Sequence, residues 1–170
     1  MKPRLIILSD LFGNRHFDWE NFYINSLKSH YDVQYYDCCE LGNIDKSIDT
    51  QKHLHQQFVD DGIEKAVGNL LALEKGIIDI LAFSIGGTIA WKAGLKGLKI
   101  NNLIAISATR LRYETDKPNC NIKLYFGEKD VFKPLRNWFE RLGIDINILE
   151  NEGHDCYILK KAAFVTIALP

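Results

Sequence analysis

Residues 77–94 read IIDILAFSIGGTIAWKAG, and this stretch decides how the rest of the chain is interpreted. Its first part, residues 77–81, is a short apolar run of the kind found in buried parallel strands. Its later part, residues 88–93, has the composition of a helix that begins at the two glycines. We therefore expect a sharp turn from strand to helix with Ser84 at its tip, where the backbone is strained and the hydroxyl projects above the sheet.

The neighbours of Ser84 must be small, because strand and helix almost touch at such a turn. Ala82, two residues before it, and Gly86, two residues after it, meet that requirement. The pattern resembles the nucleophile elbow of the α/β-hydrolase family, Gly-x-Ser-x-Gly, with Ala82 in place of the first glycine. A serine in an ordinary glycine-rich turn of an α/β sheet fits this stretch as well, so the rest of the chain must decide.

The composition is that of one ordinary soluble domain covering residues 1–170. The formal net charge is −1 and no basic block occurs, so we expect neither nucleic acid nor a membrane as a partner. No apolar run is long enough to span a bilayer, and the apolar start at residues 5–8 is too short for a signal peptide.

The four cysteines indicate a reducing compartment. Cys38 and Cys39 are adjacent, a spacing at which cysteines rarely bond to each other, and no CxxC pair occurs. We therefore expect a cytoplasmic protein with free thiols that is competent to exist as a monomer, with its oligomeric state left open. No cofactor or metal is implied, since His53 and His55 lie two apart on a predicted helix and face different ways.

Apolar runs alternate with helical patterns along the chain, which predicts a single doubly wound α/β domain with a mostly parallel sheet. The longest helical pattern, residues 50–75, contains Gly62 and Gly68, which weaken the helix and can divide it into two pieces. Six strands are predicted, at residues 4–9, 33–37, 77–81, 103–106, 122–126 and 144–149.

The resemblance to the α/β-hydrolase family implies a strand order as well. These strands correspond to the last six of the family's eight, which gives the order 2-1-3-4-5-6. A lid often follows the fourth of these strands in that family. Here only residues 108–121 separate the fourth and fifth strands, so we expect a loop or a single turn and no lid.

The resemblance also implies three residues in the order serine, acid, histidine, each just after a strand. The family's acid typically lies in a Gly-x-x-Asp turn after the fifth strand, which Gly127 and Asp130 match. A Gly-His pair after the sixth strand makes His154 the expected base. Serine needs such a base, and the base needs a third group to hold its tautomer. Glu128 is the rival acid and lies earlier in the same turn.

An oxyanion hole built from two backbone N–H groups is implied in the same way. One donor is Ile85, which follows the serine at the start of the helix. The other comes from the loop after the first strand, with Phe12 as the first choice and Leu11 as the alternative. The family's His-Gly pair is missing from that loop.

Without a lid, the walls of the substrate site must come from loops at the carboxyl ends of the strands. Four aromatic residues are predicted to line it, namely Phe12, Phe17, Phe132 and Tyr157. We expect an open and shallow cleft that favours short acyl groups, because each buried methylene adds at most about 0.8 kcal/mol.

Taken together, these residues imply a serine hydrolase that cleaves a small-molecule carboxylic ester or thioester through an acyl-enzyme on Ser84. The alternative is a non-catalytic binding module that keeps the α/β-hydrolase fold. A flavodoxin-like, nucleotide-binding domain is disfavoured, because residues 10–14 contain one glycine and cannot form the GxGxxG fingerprint.

Overall fold

The computed structural model describes residues 2–169, apart from the side chains of His16 and Phe17. Within these residues the strands form one six-stranded sheet, in the order β2-β1-β3-β4-β5-β6. Every neighbouring pair is parallel, which confirms the predicted order and makes the sheet wholly rather than mostly parallel. The strands are β1 Arg4–Leu8, β2 Asp32–Tyr36, β3 Ile78–Phe83, β4 Ile100–Ile106, β5 Asn121–Gly127 and β6 Ile146–Leu149.

Helices cover both faces of this sheet, so the domain has three layers. Their bounds are α1 Phe17–Leu27, α2 Cys38–Leu41, α3 Gln51–Gln57, α4 Ile63–Leu73, α5 Ile85–Leu95, α6 Arg136–Leu142, α7 Cys156–Leu159 and α8 Lys161–Ala168. The remaining described helical segments are two short 3-10 helices, Gly13–His16 and Thr109–Tyr113, and the π-helical turn Phe58–Gly62.

Residues 51–73 form one continuous helical segment, in which the π-helical turn joins α3 to α4. The helix is thus divided into two α-helices at a turn that ends at Gly62, but the helical path is not broken there, and Gly68 lies inside α4 without interrupting it. Gly62 keeps helical dihedral angles, with φ −58° and ψ −39°, so the chain continues through it. A β-carbon at Gly62 would lie 2.5 Å from the Ile44 side chain, so the glycine allows the loop before α3 to pack closely.

The strands bury apolar side chains on both faces of the sheet. In β1, Leu5 and Ile7 pack on one side, while Ile6 and Leu8 pack on the other. Fully burying a side chain of this size stabilises the fold by roughly 1.5–3 kcal/mol. The large rings that cover the first side include Trp19, Tyr23 and Phe164, and those that cover the second include Phe58, Trp91, Trp138 and Phe139.

The carboxyl ends of the parallel strands meet at one edge of the sheet, and the loops that follow them lie there. The connection between β4 and β5 lies wholly within the described residues and contains the 3-10 helix Thr109–Tyr113 but no lid domain. The four cysteines are all unpaired, and three of them, Cys38, Cys39 and Cys156, are buried. No helix among residues 2–169 is long and apolar enough to cross a membrane.

Candidate active site

Ser84 lies between the end of β3 and the start of α5 in a strained conformation, with φ 49° and ψ −115°. A non-glycine residue held in so sparsely populated a region costs of order 1–3 kcal/mol, which the surrounding structure must supply. Hydrogen bonds on both sides hold the turn. The N–H of Ser84 donates to the carbonyl of Ile106 at 2.8 Å, and the N–H of Gly87 donates to the carbonyl of Ser84 at 3.1 Å.

Close packing explains the small residues around this turn. A β-carbon at Gly86 would lie 2.5 Å from the carbonyl oxygen of Ser9, and one at Gly87 would lie 2.5 Å from the β-carbon of Ala108. The first turn of α5 is therefore pressed against the ends of β1 and β4. Ala82 is fully buried inside the sheet, so its extra methyl group, relative to the family's glycine, is accommodated there.

The structure brings together the three residues predicted to carry the chemistry. Ser84 Oγ lies 3.0 Å from His154 Nε2, and Asp130 Oδ2 lies 2.7 Å from His154 Nδ1. A carboxylate only accepts hydrogen bonds, so a neutral His154 ring donates from Nδ1 to Asp130 and leaves Nε2 to accept from the Ser84 hydroxyl. The rival acid, Glu128, instead accepts from the backbone N–H of Asn151 at 2.8 Å.

Asp130 is held as a charged acceptor. Its side chain is 2% exposed, whereas that of His154 is 42% exposed. Burial opposes ionisation of Asp130, but the hydrogen bond from His154, and the positive charge of that ring when it is protonated, outweigh it, so the pKa of Asp130 lies below its usual range. Its second oxygen accepts from the N–H of Phe132 at 3.1 Å. The imidazole is thus held at Nδ1 by Asp130, while the ring remains partly exposed to solvent.

A glycine at the end of β5 allows the acid loop and the histidine loop to meet. A β-carbon at Gly127 would lie 2.3 Å from the carbonyl oxygen of Gly153 and 2.5 Å from that of Glu152. The N–H of Lys129 donates to the Glu152 carbonyl at 2.9 Å. These contacts set the distance between Asp130 and the histidine loop.

Ser107 is a site residue that the sequence did not single out. It follows β4, has a φ of 56°, and is fully buried. Its hydroxyl donates to the backbone carbonyl of His154 at 2.6 Å and lies 3.6 Å from Cys156 Sγ. The one available signal was its place at the end of β4, between the strands that carry Ser84 and Asp130.

No protein-family model and no curated protein matches this chain, whereas several solved structures do. A protein assigned to the α/β hydrolase superfamily, from Xanthomonas campestris pv. campestris, superposes with a TM-score of 0.68 at 14% identity, and 98% of each chain is covered. A CIB-like hydrolase from Thermoplasma acidophilum gives 0.62 at 24% identity, covering 97% of this chain and 84% of that one. A carboxylesterase from Bacillus subtilis gives 0.62 at 15% identity, covering 98% and 82%.

This chain has the α/β-hydrolase fold. The similarity extends over nearly the whole chain in each comparison, so it concerns the entire sheet and its helices rather than a shared fragment. In this fold the loops at the carboxyl edge of the sheet carry the site, and here they carry Ser84, Asp130 and His154.

Two of the three backbone N–H groups predicted as oxyanion donors have no hydrogen-bond acceptor among the described residues. Ile85 begins α5, and no acceptor for its N–H is found among the described residues. The same holds for Leu11 in the loop after β1. The N–H of Phe12, our first choice, is instead occupied, because it donates to Asp10 Oδ1 at 2.9 Å. Of the two predicted choices for the second donor, only Leu11 therefore has an N–H without an acceptor among the described residues.

Three of the four aromatic residues predicted to line the cleft have described side chains, and they differ in placement. Phe132 is 62% exposed and Phe12 is half-buried. Tyr157 is 4% exposed and packs among the core rings. The prediction that it lines an open cleft is therefore wrong. Its hydroxyl donates to buried Asp10 at 3.0 Å, which explains why this polar ring can be buried. The side chain of Phe17 lies outside the described residues.

A cavity of about 730 Å³ lies at the amino-terminal edge of the sheet, opposite the candidate site. Its polar lining includes Asp79, whose carboxylate accepts hydrogen bonds from Asn101 and Asn102. Neither Ser84 nor His154 lines it, so it is not the substrate cleft of this α/β-hydrolase fold. Among the residues described, no group of three or more His, Cys, Asp or Glu residues is arranged to hold a metal ion.

Proposed function

We propose that this protein is a serine hydrolase that cleaves a small-molecule carboxylic ester or thioester. The observation that carries the proposal is the continuous contact from Ser84 Oγ to His154 Nε2, and from His154 Nδ1 to Asp130, at the tip of a strained turn. A serine in an ordinary glycine-rich turn has no reason to be aligned with both a histidine and a buried carboxylate.

The reaction follows from the roles of these groups. Ser84 Oγ attacks the acyl carbonyl carbon while its proton passes to His154 Nε2. The N–H groups of Ile85 and Leu11 stabilise the negative charge that develops on the carbonyl oxygen. His154 then gives its proton to the departing alcohol or thiol, leaving an acyl group on Ser84. A water molecule, deprotonated by His154, releases the acid and restores the enzyme.

Several features support an ester or thioester over an amide. The leaving group of an ester or thioester is expelled more easily than an amine, and the described connection between β4 and β5 forms no lid over the site. The fold is shared with a carboxylesterase. The exposed Phe132 beside the acid loop is in keeping with an open cleft, for which we propose short acyl groups as substrates.

The test is covalent labelling with a fluorophosphonate, followed by hydrolysis of p-nitrophenyl esters and acyl thioesters of two to sixteen carbons. We expect a single label on Ser84, none on Ser84→Ala, and the highest kcat/KM with short acyl groups. Ser29→Ala, which removes an exposed hydroxyl at the end of α1, is the matched control and should label like the wild type. A folded protein that takes no label would support the alternative of a non-catalytic binding module.

A further inference from the structure

Two arginines, Arg110 and Arg112, lie at the carboxyl edge of the sheet in the 3-10 helix Thr109–Tyr113. Both are half-buried, yet within residues 2–169 neither forms an ion pair with a carboxylate. Other arginines of the chain do form such pairs, namely Arg4, Arg15 and Arg136. The charges of Arg110 and Arg112 are therefore left uncompensated next to the candidate site.

Neutral groups hold Arg112 in place. Its Nη1 donates to the carbonyls of Thr109 at 2.8 Å and Phe132 at 3.4 Å, and its Nη2 donates to the Tyr113 hydroxyl at 2.8 Å. The Tyr113 ring also lies under both guanidinium groups, with its centroid 4.3 Å from Arg112 Cζ and 5.2 Å from Arg110 Cζ. A guanidinium has five N–H donors, so Arg112 keeps donors for a further acceptor.

Hydrogen bonds connect this helix to the catalytic histidine from two directions. On one side, the carbonyl of Phe132 accepts from Arg112, and the N–H of Phe132 donates to Asp130. Asp130 in turn accepts from His154 Nδ1. On the other side, Ser107, two residues before the helix begins, donates to the carbonyl of His154. Because β4 lies between β3 and β5, the helix follows the strand that separates Ser84 from Asp130.

The surroundings of the two arginines are electropositive. His55 on α3 faces the same region, and partial burial followed by the positive charges of Arg110 and Arg112 lowers the pKa of His55. The next carboxylate along the chain, Glu114, is already paired with Lys92 at 3.2 Å. A fixed positive charge of this kind, held by neutral contacts at the edge of a site, is suited to an anionic ligand.

We propose that Arg110 and Arg112 bind an anionic group of the substrate, so that the ester or thioester cleaved here also carries a carboxylate or a phosphate. The inference rests on the proposed hydrolase activity and narrows its substrate class. Arginine suits this role because its planar fork donates two parallel hydrogen bonds to a carboxylate or a phosphate.

The experiment compares matched pairs of substrates that differ in one charge. The p-nitrophenyl monoester of glutaric acid is compared with p-nitrophenyl valerate, which places the charge on the acyl side. The second pair, 4-acetoxybenzoate and its methyl ester, places the charge on the leaving group. We expect the anionic member of at least one pair to have a kcat/KM roughly ten-fold higher or more, as charge-assisted hydrogen bonds allow. This ratio should fall as ionic strength rises.

Arg110→Gln is the principal variant, because the contact described for Arg110 is with the Tyr113 ring alone and the fold depends little on it. It should reduce the anionic-to-neutral ratio several-fold, and Arg112→Gln should do the same while Arg112→Lys retains part of it. Lys99→Gln removes an exposed positive charge at the opposite edge of the sheet and should leave both rates as in the wild type.

The two proposals fail in different ways. Cleavage of the neutral esters with no preference for an anionic member of either pair would overturn the arginine site alone. A preference that survives in Arg110→Gln and Arg112→Gln would overturn it too. No hydrolysis of any ester, together with no fluorophosphonate labelling, would overturn both the activity and its substrate class.

Discussion

Single residues decide whether the candidate site works, and Asp130 offers the sharpest comparison. It lies against His154 Nδ1, whereas Glu128 accepts from the backbone of Asn151 at the surface. Asp130→Asn should lower kcat by roughly 10³–10⁴-fold while the fold persists, because the imidazole takes the wrong tautomer. Glu128→Gln is the matched control and should keep nearly full activity. Steady-state kinetics with a short p-nitrophenyl ester decides, and the reverse pattern would assign the acid to Glu128.

The Ser107 hydroxyl donates to the backbone carbonyl of His154, and Ser107→Gly tests this hydroxyl apart from the backbone conformation. Glycine adopts the φ of 56° at this position easily, so the variant keeps the turn and loses the hydroxyl's contacts with the His154 carbonyl and Cys156 Sγ. We expect kcat to fall roughly 10-fold, since a misplaced base reacts poorly, with KM little changed. A general loosening of the fold would lower the melting temperature and raise KM. Wild-type kcat would show that the hydroxyl does not position the histidine.

Elements differ in how far the sequence predicted them. All six strands were located to within a few residues. The strands β1, β3, β4 and β5 contain buried apolar residues, whereas the edge strands β2 and β6 are only partly buried. The helix α2 was missed, since four residues show no periodicity and its start depends on the Asp37 carboxylate accepting from Cys39 N–H at 2.7 Å. Ser107 was missed for a similar reason, because its contact with His154 depends on a positive φ and on a residue 47 positions away.

The junction of the acid and histidine loops should depend on Gly127. A β-carbon there would meet the Gly153 and Glu152 carbonyls at 2.3 and 2.5 Å, so Gly127→Ala must push the histidine loop away from Asp130. We expect kcat to fall by roughly 10²-fold and stability to fall by about 1–3 kcal/mol. Gly68→Ala in α4 is the control, since nothing lies within 4 Å of its β-carbon and alanine favours the helix by about 0.5–1 kcal/mol. Activity and urea denaturation of both variants test this, and an active Gly127→Ala would contradict it.

At the scale of the whole molecule, the packing of the fold and the positions of the site residues were predicted from different features of the sequence. The sheet and the longer helices could be predicted from apolar patterning, whereas the strand order came from the resemblance to a known family. The positions of Ser84, Asp130 and His154 followed from motifs after strands, because the carboxyl ends of parallel strands converge. The hydrogen bond that occupies the Phe12 N–H, and the burial of Tyr157, could not be predicted. Both depend on the side chain of Asp10, which accepts from Phe12 N–H and from the Tyr157 hydroxyl.

The stability of the whole fold should depend on pH through Glu20, a fully buried residue of α1. Its Oε1 accepts from the Tyr35 hydroxyl at 2.7 Å, while Oε2 has no partner among the described residues. Burial raises the pKa of Glu20 to about 8, and the charges of Asp10 and Asp37 act in the same direction. The folded protein therefore keeps a proton that the unfolded chain releases above about pH 4.3.

Because the folded state binds more protons than the unfolded state between about pH 5 and 8, stability should fall as the pH rises through that range and level off above it. Glu20→Gln is uncharged and similar in shape, so its free energy of unfolding should change less over the same range and exceed that of the wild type at pH 8 by roughly 1–3 kcal/mol. Urea denaturation at pH 5, 6.5 and 8 measures this. The exposed Glu150→Gln serves as the control and should follow the wild type. Parallel stability curves for the wild type and Glu20→Gln would mean that Glu20 does not take up a proton on folding.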